Sequence, residues 1–208
     1  GFWETIYMTL VSTALGYAIG LPLGVTLAVT GKGGIRENKV VYRILDVISN
    51  VIRSIPFLIL LILIIPLTRF LVGKSYGSSA TIVPLVIAAA PFIARMVESS
   101  LQEVDEGVIE AAKSMGAGTW TIIFRVLLVE ARTSLIVGVT IALGTILGYS
   151  AMAGVVGGGG LGDIAIRYGY YRYQTDIMVV TIVILVLIVQ VLQALGMMLS
   201  KKLDRRNK

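Results

Sequence analysis

The chain has 208 residues, of which 56% are hydrophobic and only 14% are charged. Soluble domains average about a quarter charged residues, so this composition requires lipid as the solvent. At roughly 20 apolar residues per crossing, the length allows about five or six membrane spans and no large soluble domain. The chain contains no cysteine and no histidine. This argues against disulfides, thiolate or imidazole metal sites, haem ligation and Ser-His or Cys-His catalytic triads.

Long uncharged stretches predict five membrane-spanning helices, so we interpret residues 1–208 as a single all-α transmembrane domain. The first stretch begins beside Trp3 and Tyr7, which suit a membrane interface. It is too long for a signal peptide and lacks the cleavage pattern, so we expect it to remain in the mature protein. The five predicted spans are approximately 5–30, 45–67, 76–95, 134–156 and 177–200.

The positions of lysine and arginine predict the orientation, because basic residues are retained on the cytoplasmic side. One side of the membrane receives only Arg69, Lys74, Arg167 and Arg172. The other side receives Lys32, Arg36, Lys39, Arg43, Arg53, Arg95, Lys113, Arg125, Arg132 and a tail with Lys201, Lys202, Arg205, Arg206 and Lys208. We therefore expect the N-terminus outside and the C-terminus in the cytoplasm. The net charge of +6 then reflects topology and does not indicate nucleic-acid binding.

Glycines recur at helical spacing within the predicted spans, and small residues four apart let helix backbones approach closely. The sets are Gly16, Gly20 and Gly24 in the first span and Gly144 and Gly148 in the fourth. We interpret them as helix-packing positions. Prolines in or beside the spans are expected to kink helices, because each removes a backbone donor and clashes with the preceding turn; these are Pro22, Pro56, Pro84 and Pro91.

The segment 105–128, between spans three and four, has the pattern of a short cytoplasmic helix. Asp105 is a suitable N-cap, Glu106 opposes the positive end of the dipole, and Gly116 provides the left-handed stop. Thr119 is expected to cap a second helix. A helix this short is marginal alone in water, so its apolar face needs a partner. That face is predicted to comprise Val108, Ala111, Ala112 and Met115, which repeat at i, i+3, i+4 and i+7.

These residues resemble the EAA loop of ABC-importer permeases: Glu110-Ala111-Ala112, three residues, Gly116, nine residues, then Val126 and Leu128. In that family the loop forms a coupling helix that docks in a groove of the ATPase subunit. The resemblance therefore implies a partner ATPase that contacts Val108, Glu110, Ala111, Ala112, Met115 and Gly116. The chain departs from the family pattern at Leu128-Val129, where Leu-Pro is usual. We call residues 105–128 the EAA segment.

Further stretches narrow the resemblance to the methionine-importer permeases. They are Arg53 to Phe57, Pro91 to Glu98, Gly148 to Gly154, Gly157 to Gly162 and Tyr168 to Tyr170. This resemblance implies a type I ABC importer permease fold with five spans, in a bacterial inner membrane. It also implies a pair of permease chains, two ATPase subunits that bind the ATP, an external substrate-binding protein and D- or L-methionine as the solute.

Three features near the predicted membrane surfaces are candidates for function. Met152 lies among small residues near the outer end of span four, where we hypothesise an outer gate. The alternative, a core or lipid-facing methionine, remains open. The glycines 157–160 are expected to form a turn beneath the binding protein, and the nearby Tyr168, Tyr170, Tyr171 and Tyr173 to anchor at the interface. Arg95 and Glu98 lie three residues apart and are expected to pair.

Catalytic, metal and cofactor residues are not predicted in this chain. Neither Gly31-Lys32 nor the run 157–160 fits a Walker loop, so we expect no nucleotide site and no enzymatic activity in the chain itself. A secondary carrier is disfavoured because no predicted span has an ionisable residue at its midpoint. A membrane anchor of a redox complex is disfavoured by the lack of histidine and cysteine. An ABC permease for another amino acid or small polar solute remains an alternative.

Overall fold

The computed structural model describes residues 1–203, and within that range every regular element is a helix. The tail residues Arg205, Arg206 and Lys208 lie outside the described residues. In chain order the helices are α1 (Phe2–Thr30), α2 (Lys39–Ser54), α3 (Phe57–Leu63), α4 (Ile65–Val72), α5 (Ser78–Gln102), α6 (Glu106–Ser114), α7 (Thr119–Thr121), α8 (Leu128–Glu130), α9 (Arg132–Ala153), α10 (Gly160–Ile164) and α11 (Thr175–Leu203). Two π-helical turns, Ile122–Leu127 and Ala165–Tyr170, and a 3-10 turn, Gly154–Val156, connect several of them.

Four helical runs of the described chain are long and apolar enough to cross a membrane: Phe2–Thr30, Ser78–Gln102, Arg132–Tyr170 and Thr175–Lys202. They differ in burial. Of the most apolar stretch of α5, 61% is buried within the chain, against only 11% for α11. Helix α5 is therefore the central element, and α11 presents its apolar surface outward, as a lipid-facing helix does.

The stretch predicted as one span, 45–67, is divided in the structure. Helices α2 and α3 would together be long enough for a fifth crossing, but they are bent by 101° relative to each other. The break falls at Pro56, which lacks an amide hydrogen and holds Ile55 in an extended conformation. By contrast, Pro22 lies within the continuous helix α1, and Pro84 and Pro91 lie within the continuous helix α5.

The closest helix packing is between α1 and α5, and glycines make it possible. A β-carbon at Gly20 would lie 2.7 Å from the carbonyl oxygen of Ala90, and one at Gly24 would lie 2.5 Å from that of Ala94. These distances are shorter than a van der Waals contact allows, so only glycine permits this approach. Gly148 differs, because a β-carbon there would meet nothing within 4 Å. The packing expectation holds for the first glycine set and fails for Gly148 within this chain.

We predict that Gly20→Ala destabilises the chain by about 1–3 kcal/mol, because the added methyl forces α1 away from α5. Gly148→Ala is the matched control, since its methyl has space and alanine favours helix. Its expected effect lies within about 0.5 kcal/mol of zero. Unfolding of the purified variants by denaturing detergent measures both. Equal losses at the two positions would contradict the assigned packing.

Candidate functional site

Helix α6, the core of the EAA segment, has the N-terminal cap expected from its sequence. The carboxylate of Asp105 accepts a hydrogen bond from the amide of Gly107 at 2.7 Å. Glu106 in the first turn and Lys113 in the last turn both have charges that favour the helix dipole. These local interactions define where the helix begins, although a helix of nine residues still needs tertiary support.

The C-terminus of α6 is closed by a Schellman motif. The amide of Ala117 donates to the carbonyl of Ala112 at 3.0 Å, and the amide of Gly116 donates to that of Lys113 at 2.9 Å. Gly116 has φ of +78°, the left-handed conformation predicted for it. A side chain at this position would meet no neighbour within 4 Å, so the backbone angle alone is what requires glycine.

The predicted apolar face of α6 is split between the chain's own core and its surface. Ala112 is only 5% exposed and belongs to the main apolar cluster of the chain, against which Ile109 also packs. Met115 is 82% exposed, and Val108 and Ala111 are exposed as well. The expectation that placed Ala112 on the outward face is therefore wrong. A charged substitution at Ala112 would disturb the chain's own packing before it disturbed any partner.

The turns that follow α6 anchor the EAA segment to the rest of the chain. The predicted cap at Thr119 is wrong, because Thr119 is the first helical residue and Gly118 occupies the cap position without a side-chain bond. The next turns form the π-helix, whose Ile122 and Leu127 are buried in the same apolar cluster as Ala112 and Leu101 of α5. Helix α6 is thus packed, through one continuous core, to the end of α5.

A cluster of charged and amide side chains joins α2 to α5. The Arg95 guanidinium pairs with Asp46, and also with Glu98 at 2.7 Å, as predicted for the latter. It donates a further hydrogen bond to the Asn50 side chain at 3.2 Å. Gln102 donates to the other Glu98 oxygen at 3.4 Å. Glu98 is only 4% exposed, so its charge depends on these partners.

The pairing of Asp46 and Asn50 with Arg95 was not predicted from the sequence, although one signal was available. Asp46 is the only acidic residue between positions 38 and 97, and an isolated charge in an apolar region of a membrane protein indicates a partner. Asn50 lies one helical turn after it and donates to Asp46 at 3.2 Å. The pairing with Arg95 spans 49 residues, so no local pattern could reveal it.

A cavity of about 360 Å³, with apolar as well as charged side chains in its lining, lies beside this cluster, between α5 and α9, and is open on one side. Charged groups of both signs line it, from Arg53, Arg95 and Glu103. Its hydroxyls include Ser100 and Ser134, which hydrogen-bond to each other at 3.0 Å. Such a lining can accommodate a polar solute, and the open side leaves room for a wall that another chain supplies.

At the other end of α9, the glycine run 157–160 forms the predicted turn, with positive φ at Gly157, Gly159 and Gly160. The turn is fixed by four hydrogen bonds to the starts of two spans. From α1, Glu4 accepts from the Gly160 amide and Thr5 from the Leu161 amide, both at 2.8 Å. On the side of α5, the Gly77 amide donates to Gly157 at 2.9 Å, and the Thr81 hydroxyl to Gly158 at 3.1 Å.

Met152 lies just before this turn and is 52% exposed, whereas the next residue, Ala153, is fully buried. One helical turn earlier, Tyr149 stacks on Phe57 of α3 with ring centroids 4.5 Å apart. Met152 therefore projects from a well-packed region of the chain. The tyrosines nearby are mostly exposed: Tyr170, Tyr171 and Tyr173 at the surface, and Tyr168 half-buried beneath the Arg172 guanidinium.

Comparison with protein-family models gives a match over residues 20–208, to the binding-protein-dependent transport system inner membrane component. The chain belongs to this family of inner-membrane transport components. It is a multi-pass inner-membrane permease, and the helical architecture described above agrees with that assignment.

Curated relatives of the permease match over almost the full length of both chains. It is 51% identical over 204 residues to the probable D-methionine transport system permease protein MetI of Vibrio cholerae, covering 98% of this chain and 91% of the relative. It is 47% identical to the methionine import system permease protein MetP of Bacillus subtilis, covering 98% and 92%.

Solved structures give the same fold. The permease superimposes with a TM-score of 0.97 and 49% identity on a chain of the MetNI methionine ABC transporter in inward-facing conformations, covering 99% of this chain and 95% of that chain. A chain of an amino acid ABC transporter crystallised with histidines gives a TM-score of 0.79 at 20% identity, which supports the fold alone.

We predict that Arg95→Gln destabilises the permease by about 3 kcal/mol, because it leaves the buried Glu98 carboxylate without its cation. The double variant Arg95→Gln with Glu98→Gln should recover part of that loss, since the orphaned charge is then removed. Lys39→Gln is the matched control. Its pair with Glu37 is exposed, at 3.9 Å, so the expected loss is below about 0.5 kcal/mol. Detergent unfolding of the unsubstituted chain and these three variants measures the losses, and an Arg95→Gln effect no larger than that of the control would contradict the prediction.

Proposed function

We propose that the chain is the membrane-spanning subunit of an ATP-driven importer whose solute is methionine. The observation that carries this proposal is the near-full-length similarity, at 47–51% identity, to curated permeases whose names specify methionine. Both chains are covered by more than nine-tenths in those matches, so the similarity extends over the spans and the EAA segment together. Another amino acid or small polar solute is the alternative, and it requires the same architecture.

We further propose five spans, with the N-terminus outside and the C-terminus in the cytoplasm. In this arrangement the bent pair of α2 and α3 forms one span, the second in chain order, in addition to the four long helical runs. Support comes from the basic residues, which concentrate on the side that contains the EAA segment. In this orientation α6 lies in the cytoplasm, and the turn 157–160 lies at the outer surface beneath the external binding protein.

The proposed contact with the ATPase subunit uses the exposed face of α6, namely Val108, Ala111 and Met115 with Glu110. Ala112 and Gly116 contribute differently, since Ala112 anchors the helix and Gly116 ends it. A force applied to the exposed face reaches the core cluster through Ala112. Because the same cluster contains residues of α5 and α9, nucleotide-driven closure of the ATPase can be transmitted to both helices.

The proposed transport pathway lies between two copies of this chain. One chain leaves the cavity beside Arg95 open on one side, and it leaves Met152 exposed at the end of α9. A second copy related by two-fold symmetry would close this cavity and contact Met152. Met152 is then the proposed outer gate. ATP is bound and hydrolysed by two partner ATPase subunits, and the permease chain itself needs no cofactor.

For the coupling role, we predict that Met115→Glu lowers ATPase affinity about 30-fold or more. Full burial of a methionine side chain contributes about 2 kcal/mol, and the substitution also places a charge in the contact. Gly116→Val should act similarly by straining the helix end, where φ is +78°. Pull-down of the ATPase by the detergent-solubilised permease measures the affinity.

The matched control for the coupling test is Arg43→Gln, which also makes the net charge more negative. Arg43 is exposed on α2 and lies outside the EAA segment. Its pull-down should equal that of the unsubstituted chain. Normal association of Met115→Glu and Gly116→Val would remove the coupling role from α6, whatever the solute.

For the solute and the gate, we predict that the reconstituted complex hydrolyses ATP faster when its binding protein is loaded with methionine than with other amino acids. Met152→Ala should raise the basal rate or the leakage of methionine, because it leaves a void between the two copies. Vesicle uptake and phosphate release measure these effects. Stronger stimulation by a different amino acid would contradict methionine as the solute. An unchanged basal rate and unchanged leakage in Met152→Ala would indicate that Met152 is a packing residue and not a gate.

A further inference from the structure

A groove of about 370 Å³ runs along the outside of the chain, between the C-terminal half of α1 and the helical turns at 119–128. We call it the Trp120 groove. Leu21, Val25 and Ile123 are among the apolar side chains that form its walls. Neither the exposed face of α6 nor Met152 lines this groove.

Two hydroxyls on the α1 wall of the groove are already hydrogen-bonded within the chain. The Thr26 hydroxyl donates to the carbonyl of Pro22, and the Thr30 hydroxyl donates to that of Thr26, both at 2.7 Å. Because these two hydroxyls are satisfied, the α1 wall presents mainly hydrocarbon to an occupant, so it suits an acyl chain better than a polar peptide.

The rim of the groove has the composition of a membrane interface. Trp120 is 73% exposed and Phe124 is 59% exposed, and their rings stack with centroids 5.9 Å apart. Tryptophan concentrates where hydrocarbon meets the lipid headgroups, because its ring is apolar and its indole N–H is polar. The exposed stacked pair therefore indicates that the mouth of the groove lies at headgroup depth.

A cation is present at the same mouth. Arg36 lines the groove, is exposed, and has no ion-pair partner among residues 1–203. Lys32 is exposed in the same loop. A guanidinium beside an apolar groove at headgroup depth is complementary to a lipid phosphate, and each basic residue near a membrane surface contributes attraction to anionic lipid.

We propose that the Trp120 groove binds an anionic phospholipid, with an acyl chain between α1 and the turns 119–128 and the phosphate at Arg36. Placing this lipid in the cytoplasmic leaflet rests on the proposed orientation; the binding itself does not. The lipid contacts both α1 and the turns that anchor α6, so it supports the proposed docking helix from the membrane side. A second permease copy or the ATPase in the groove would be incompatible with this occupant.

The test uses tryptophan fluorescence, because the chain has only two tryptophans, Trp3 and Trp120. The variant Trp3→Phe leaves Trp120 as the single reporter. The full-length chain is placed in phosphatidylcholine nanodiscs with a small fraction of brominated phosphatidylglycerol or brominated phosphatidylcholine, since bromine quenches by contact. We expect quenching by the anionic lipid to reach half its maximum at about a fivefold lower mole fraction.

Three further variants in the Trp3→Phe background identify the site. Arg36→Gln should abolish the preference for the anionic lipid, whereas Arg43→Gln, which removes an exposed charge from α2 outside the groove, should retain it. Thr26→Phe should reduce quenching by both lipids, because the larger side chain fills the groove.

Equal quenching by the two lipids would overturn the proposal, since it would indicate only general lipid contact. Weak quenching by both would also overturn it, since another protein surface would then cover the groove. None of these measurements requires an ATPase or a transported solute. Failure here is therefore distinguishable from failure of the transport proposal.

Discussion

The backbone approach between α1 and α5 is the constraint on which the rest of the chain depends. Gly20 and Gly24 bring α1 so close to α5 that a single methyl group would separate them. In lipid there is no hydrophobic force between helices, so close packing of small residues replaces it. Because α5 is fixed in this way along its length, its two ends become defined positions from which the other elements are placed.

At the end of α5 that leads into the EAA segment, two different interactions act together. Arg95 and Glu98 hold α2 through Asp46, with a network in which the buried carboxylate is fully paired. A few residues later Leu101 joins the apolar cluster that anchors α6 through Ala112. In the proposed mechanism, a displacement of α6 is transmitted to α5 and α9 through these packed side chains, and the ion pairs make α2 move with α5.

At the opposite end of α5, the glycine turn 157–160 ties α9 and α10 to the starts of α1 and α5. Glu4 accepts a hydrogen bond from the Gly160 amide, and Thr5 accepts one from the adjacent Leu161 amide. Thr81 and Gly77 donate to two carbonyls of the turn. At this end hydrogen bonds to the backbone of the turn join the helices, three of them from side chains, whereas the other end has ion pairs and apolar packing. In the proposed mechanism, the ATPase acts on the end joined by ion pairs and apolar packing, while the binding protein meets the end joined by hydrogen bonds to the glycine turn.

The sequence by itself determined the family, the apolar spans and the start and stop of α6, because these follow from composition and from local interactions such as the Asp105 cap and the left-handed Gly116. It also predicted the pair of Arg95 with Glu98, since residues three apart share a helix face. Only the tertiary structure decided that Pro56 divides the second predicted span and that Ala112 faces inward. Asp46 and the Trp120 groove likewise depend on contacts between helices far apart in sequence, which no local periodicity contains.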